Sequence, residues 1–298
     1  MSYPALDEIK TMLRDGPLSL SMPPEESRAI FNAMFAEVPN PEGVIYEVAQ
    51  VGGVEGTWAR PSGAPTDQAI LYAHGGAYVI GSPDTYAATI GHLALFSGLN
   101  IFAPNYRKAP ENPYPVPVQD VVDAYRGLLD SGVRQVVAAG DSAGGGLTMS
   151  LLLTCKAEGL TMPVAGVLWS PWVNLACDSE SCTFNAEDDP SLDVTGLVES
   201  ARHYLGDNIP DDDVLHPLRA DLSGLPPLLI HVGSIEILLD DATELAAEAG
   251  AAGVRVSLDI YPDMPHVFQS FYPALIESGE ALEATAAFIK SNLKAGQE

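Results

Sequence analysis

Gly140-Asp141-Ser142-Ala143-Gly144 stands where an apolar run, residues 135–139, gives way to helical spacing over residues 142–158. A serine on a sharp strand-to-helix turn presents its hydroxyl outward, and glycines flank it because side chains would crowd the turn. Ser142 would also open a helix, whose free N–H groups and dipole favour developing negative charge. The G-x-S-x-G spacing alone is weak, arising by chance in roughly one chain in several of this length. The strand–turn–helix context gives it weight and makes Ser142 a candidate nucleophile rather than a simple helix cap.

A second constellation, Ala73-His74-Gly75-Gly76-Ala77-Tyr78, follows the apolar run 69–73. Glycines let backbone N–H groups approach an oxygen that becomes negative as an acyl carbon turns tetrahedral. The amides of Gly75, Gly76 and Ala143 are the expected oxyanion hole, with His74 as a loop-holding hydrogen-bond residue. A phosphate-binding loop is the rival reading, but no Walker pattern or G-x-G-x-x-G accompanies the glycines.

A serine nucleophile needs a base. Of six histidines, His92 and His203 fall in helical patterns, His231 in an apolar strand, and His216 before a proline. His266 lies in Pro262-Asp263-Met264-Pro265-His266-Val267-Phe268, a loop after the last expected strand, where a mobile base belongs. The orienting acid should lie between residues 142 and 266. Glu236, just past the strand at 228–232, is the first choice, with Asp240 and Asp263 as rivals. Asp240 and Asp241 have a structural reason as first-turn acids of the next helix. Asp263 can serve its own turn.

The elements that must position these residues alternate. Helical patterns occupy residues 1–40, and strands at 44–50 and 54–60 form a hairpin around Gly52-Gly53. Strands are expected at 69–73, 101–103, 135–139, 164–169, 228–232 and 254–261. Helices are expected at 85–96, 118–130, 142–158, 241–252 and 273–293. Such alternation predicts crossover units and a mainly parallel sheet covered on both faces. Residues 179–216 break the rhythm with acidic loops and one helix at 194–204. They are expected to cap a pocket together with residues 1–40, within a single domain spanning 1–298.

Composition agrees with a folded enzyme. The 298 residues are 47% hydrophobic and 18% charged, enough to bury a sizeable core. A net charge of −26 argues against nucleic acid or an anionic membrane as partner. Cys155, Cys177 and Cys182 are too few for a disulfide framework, and no Cys/His cluster has metal spacing. No cofactor or metal is implied. The N-terminal residues lack the apolar core of a signal peptide, and the uncharged stretch 85–106 reads as buried helix plus strand, so a cytoplasmic protein is expected.

These blocks together resemble the hormone-sensitive-lipase family of α/β-hydrolases, the bacterial family IV esterases. The matching segments are HGGAYVIGS at 74–82, NYRKAPENPYP at 105–115, GDSAGG at 140–145, SPW at 170–172, LPPLLIHVGSIEILLDD at 225–241 and PDMPHVF at 262–268. Within that family the chain looks most like monoterpene ε-lactone hydrolases and their esterase relatives. The resemblance implies Ser142 as nucleophile, Glu236 as acid and His266 as base. It departs from the family pattern at Ala77, where a third glycine is frequent, at Lys108, and at Glu236, where Asp is commoner. Relatives dimerise, and a strand at 254–261 would offer an edge, which leaves room for a homodimer.

The expected activity is cofactor-free hydrolysis of short to medium acyl esters or lactones through an acyl-enzyme. An amide or formamide hydrolase would use the same residues. A non-catalytic small-molecule receptor on the same fold is a third reading, disfavoured because His266 is present.

Overall fold

In the computed structural model, residues 4–36, 38–206 and 212–295 are described. The N-terminal patterns form α1 (Pro4–Arg14) and α2 (Pro24–Ala36), each opened by a proline whose missing N–H costs nothing there. β1 (Val44–Val51) and β2 (Val54–Pro61) make the expected hairpin, with Val51 opposite Val54. Gly52 and Gly53 turn it with φ of +61° and +81°, a backbone that glycine adopts without strain.

Alternation then sets in. β3 (Gln68–Ala73), α3 (Ala87–Ser97), β4 (Asn100–Pro104), α4 (Val116–Asp130), β5 (Gln135–Asp141), α5 (Ala143–Glu158) and β6 (Ala165–Trp169) follow one another. The interruption holds α6 (Ser181–Phe184), α7 (Val194–Leu205) and a 3-10 turn at Asp213–Leu215. Residues 207–211 of that insertion, Asp211 among them, lie outside the described residues. β7 (Leu228–Gly233), α8 (Leu239–Ala251), β8 (Val256–Tyr261), a 3-10 turn at Phe268–Phe271 and α9 (Ile276–Ala295) complete the chain.

The eight strands form one sheet in the order β1-β2-β4-β3-β5-β6-β7-β8. β2 runs antiparallel to β1 and β4, and every other pair is parallel. α3 packs against α9 and α4 against α5, so both faces are covered. β4, β6 and β7 are buried at every position, which is why they read as unbroken apolar runs rather than alternations. β8 ends the sheet, paired with β7.

Small departures have local causes. The last helix begins at Ile276 rather than 273 because the 3-10 turn and Pro273 intervene. α6, at four residues, is too short to leave a periodic signature. All three cysteines are free and buried. No helix among the described residues is long and apolar enough to cross a membrane.

Candidate active site

β5 carries Ser142 to the carboxyl edge of the sheet, between β3 and β6. The turn is sharp: Ser142 has φ 52° and ψ −123°, outside the regions comfortable for a non-glycine residue. Its neighbours hold it there. The Ser142 N–H donates to Trp169 O at 2.9 Å, and the Ser142 carbonyl accepts from Trp172 N–H at 2.9 Å. The flanking glycines are obligatory, as the motif requires. A Cβ on Gly144 would fall 1.9 Å from Ala73 O, and one on Gly140 would fall 2.3 Å from Gly144 O.

Glu236 and His266 reach this edge from loops after β7 and β8. His266 Nδ1 lies 2.7 Å from Glu236 Oε2. Glu236 is fully buried, and its other oxygen accepts from Ser170 Oγ at 2.8 Å and from Gly233 N–H. Burial of the imidazole would lower the His266 pKa, but the hydrogen bond and charge of Glu236, helped by Asp189 and Asp141, outweigh it and raise the pKa above its ordinary value. The rival acids have other places. Asp240 accepts the N–H of Ser181 at 2.7 Å, and Asp263 is an exposed turn residue with φ 61°.

Ser170, at the end of β6, was visible only as part of the SPW block. Its hydroxyl donates to Glu236 and accepts from the Val267 N–H at 3.2 Å, so it joins the acid to the residue after His266. It too has a positive φ, 46°.

The expected oxyanion donors need one correction. The Gly75 N–H donates to Asp141 Oδ1 at 3.0 Å and is not directed to a ligand. Gly75 lacks a side chain because Asp141 fills that space: a Cβ would lie 2.2 Å from Asp141 Oδ2. Asp141 also accepts from Tyr72 Oη at 2.7 Å and Tyr86 Oη at 2.9 Å. Burial raises its pKa to about 6 against the pull of those hydrogen bonds. The next two residues, Gly76 and Ala77, line the same cavity as Ser142 and His266. Both have positive φ, 110° and 52°, so the loop turns its backbone at these positions. His74 is the loop-holding residue expected. It is fully buried, stacks on Tyr106 at 4.3 Å, and sits with Nδ1 2.7 Å from Gly75 O. Burial pushes its pKa down to about 3.

The cavity has a volume of about 160 Å³. Leu13, Leu18, Leu20, Phe31 and Phe35 supply its apolar wall from the N-terminal segment, and Leu192 and Leu197 from the insertion. Arg28 fixes α2 over the site. Its Nε donates to Val79 O at 2.8 Å, its Nη2 to Ala109 O at 2.7 Å, and it pairs with Glu111. The hydrogen bond from Arg28 holds the Glu111 pKa down at about 2.

The acidic insertion is only partly a solvated rim. Glu187 and Asp188 are exposed. Asp189 is buried, and Asp212 accepts from Tyr114 Oη and the Val214 N–H. Among the other histidines, His92 lies in α3 edge-on to Tyr272, His203 in α7, and the buried His231 is 3.4 Å from Asp259.

Residues 70–270 match a family model described as the alpha/beta hydrolase fold. An acetyl-hydrolase of Streptomyces hygroscopicus is 39% identical over 247 residues, covering 82% of each chain. An esterase of Acinetobacter venetianus is 34% identical over 278 residues, 92% of this chain and 91% of that one. The crystal structure of an esterase from the bacterial hormone-sensitive lipase family superposes with a TM-score of 0.94 at 40% identity, covering 98% of this chain and 99% of that chain. Matches of this extent, joined to the strained serine turn and the Glu236–His266 pair, settle the family: the chain belongs to the hormone-sensitive lipase family of α/β-hydrolases.

Proposed function

We propose that Ser142, His266 and Glu236 hydrolyse carboxylic esters through an acyl-enzyme. The protein is a carboxylic ester hydrolase by its relatives, which are esterases and acetyl-hydrolases. One observation carries the assignment of residues: Ser142 and His266 line a single apolar cavity, and Glu236 stands 2.7 Å behind His266 Nδ1.

Glu236 fixes the tautomer with the proton on Nδ1, leaving Nε2 to accept a proton. His266 takes the Ser142 proton as Oγ attacks the acyl carbon. Charge then appears on the former carbonyl oxygen. The Gly76, Ala77 and Ala143 amides are the donors in this reading, with Ala143 adding the N-terminal field of α5. His266 returns the proton to the leaving alcohol, and water, activated by the same imidazole, clears the acyl group.

The substrate is a neutral ester with a short to medium acyl chain. The apolar wall favours an alkyl group, and a cavity of about 160 Å³ suits a short to medium acyl chain better than a long one. A net charge of −26 disfavours carboxylate-bearing substrates. Three free buried thiols fit a reducing compartment such as the cytoplasm. β8, an edge strand with Ile260 exposed, is the surface on which a homodimer would form.

The test is a fluorophosphonate probe with a panel of acyl esters, lactones and anilides. Wild type should be labelled and should hydrolyse short esters. Ser142→Ala should remain folded, take no label and lose at least about three orders of magnitude in kcat. A Ser142→Ala protein retaining more than about a tenth of wild-type turnover would remove Ser142 from the nucleophile's role.

A further inference from the structure

The insertion after β6 does more than roof the cavity. Its segment 181–192 is bound, side chain by side chain, to the backbone that carries Glu236. Asn185 Nδ2 donates to Glu236 O at 2.7 Å and to Ser234 O at 3.1 Å. Asp189 Oδ2 accepts the Ile237 N–H at 3.0 Å. Ser181 Oγ donates to Ile237 O at 2.7 Å. The insertion therefore binds backbone groups on residues 234, 236 and 237 in addition to the loop's own turn, in which the Glu236 N–H donates to Gly233 O at 3.3 Å and the Leu239 N–H to Glu236 O at 3.2 Å.

Asp189 faces both ways. Its Oδ1 accepts the N–H groups of Ser191 at 2.8 Å and Leu192 at 3.1 Å, and both residues line the cavity. Asp189 is only 7% exposed, and burial raises its pKa to about 6. A buried carboxylate is costly unless it is well hydrogen-bonded, and here three backbone N–H groups do that work. One side chain thus joins the wall of the substrate cavity to the loop that aims the acid.

The length of the acid gives this clasp its purpose. Glu236 has one more rotatable bond than an aspartate, so its carboxylate is aimed only if the backbone beneath it is fixed. Ser170 and Gly233 hold the carboxylate itself, while Asn185 and Asp189 hold the main chain. Displacing a catalytic group by about 1 Å is worth up to roughly a hundredfold in rate.

We infer that Asn185 and Asp189 are positioning residues for the acid, acting on the reaction through the backbone of residues 234–237 and so through Glu236. The inference rests on the reading of Glu236 and His266 given above. The Asn185 side chain donates to the acid's loop, whereas Asp189 also holds the cavity wall. Their substitutions should therefore separate kcat from KM.

Asn185→Ala and Asp189→Asn are to be made in wild type and in Glu236→Gln, with kcat and KM measured on a butyrate ester and folding checked by thermal melts. Asn185→Ala should lower kcat by about tenfold or more, with KM within about threefold. Asp189→Asn should lower kcat similarly and also raise KM. In the Glu236→Gln background either change should cost less than about threefold, because the element it positions is already disabled. Either variant suffices, so failure of one to fold leaves the other to decide. An unchanged kcat, or the same fold-loss in both backgrounds, would overturn the inference while leaving the triad intact. A Glu236→Gln enzyme near wild-type activity would overturn the triad reading itself, and this inference with it.

Discussion

The backbone N–H of Gly75 donates to the side chain of Asp141, the residue immediately before the nucleophile candidate, at 3.0 Å. The loop of the proposed oxyanion donors is thus tied to the serine turn by a carboxylate that also receives two tyrosine hydroxyls. Asp141→Ala would remove the acceptor shared by the Gly75 amide and both buried hydroxyls, at about 1–3 kcal/mol for each group left unsatisfied. Expected are a lowered Tm and a kcat reduced by about tenfold or more, since the loop presenting Gly76 and Ala77 loses its anchor. Ala77→Gly, which relieves a positive φ, should keep near wild-type kcat. Ester kinetics on both variants check the relationship. An Asp141→Ala enzyme with normal kcat would show that the tie does not matter to the oxyanion site.

In its proposed role as base, His266 must be neutral. Its pKa is raised, so kcat/KM should fall as pH drops through a midpoint above the 6.5 of a free imidazole. Removing the Glu236 charge lets burial dominate, so Glu236→Gln should move that midpoint to lower pH. The same change should cut kcat by roughly two to four orders of magnitude. Asp240→Asn and Asp263→Asn should retain most activity, because the Asp240 carboxylate holds the Ser181 N–H and Asp263 is an exposed turn residue. pH–rate profiles of the three variants decide the matter. A crippled Asp240→Asn or Asp263→Asn beside a healthy Glu236→Gln would transfer the role.

Acyl-chain selectivity should reside in the N-terminal segment. Phe31 and Phe35 pack with ring centroids 4.7 Å apart, tilted at 46°, and line the cavity. Phe35→Ala should open the wall and shift the preferred ester toward longer chains. Deleting residues 1–40 should lower kcat/KM more than it lowers the stability of the sheet. Wild type should favour butyrate over long-chain triglyceride emulsions. Normal kinetics in the truncated protein, or a preference for the emulsion, would place the acyl site elsewhere.

Asp241 gives a stability test independent of catalysis. Its Oδ2 accepts the N–H groups of Val173 and Asn174, both at 2.7 Å, while its buried Oδ1 has no partner. Burial lifts its pKa from 3.8 to about 7. The folded-state value is the higher one, so the native state binds this proton more tightly. The contribution to stability is greatest below pH 3.8 and is lost as pH rises toward 7. Asp241→Asn keeps an acceptor for both amides and never carries the charge. It should raise Tm by roughly a few degrees at pH 8, and the gain should vanish near pH 4. Melts at the two pH values suffice. Equal shifts at both would mean that the charge is not the source.

Much of this was written locally in the chain. Alternating apolar runs and helical spacing determined a parallel α/β sheet, since each element must bury its own face whatever its neighbours are. Gly140 and Gly144 marked the serine turn because the crowding they relieve comes from residues close by in the same motif or on the adjacent strand. Glu236 and His266 were legible from their places just past strand ends, where loops gather at the carboxyl edge. Hydrogen-bond direction was not legible. That the Gly75 amide is engaged within the protein depends on Asp141, 66 residues away, occupying the space beside Gly75. The same holds for Asp189, whose composition reads as part of a solvated acidic rim but whose carboxylate folds inward onto Ile237. A sequence states which groups can donate and accept; only packing decides which are dehydrated and therefore obliged to find each other.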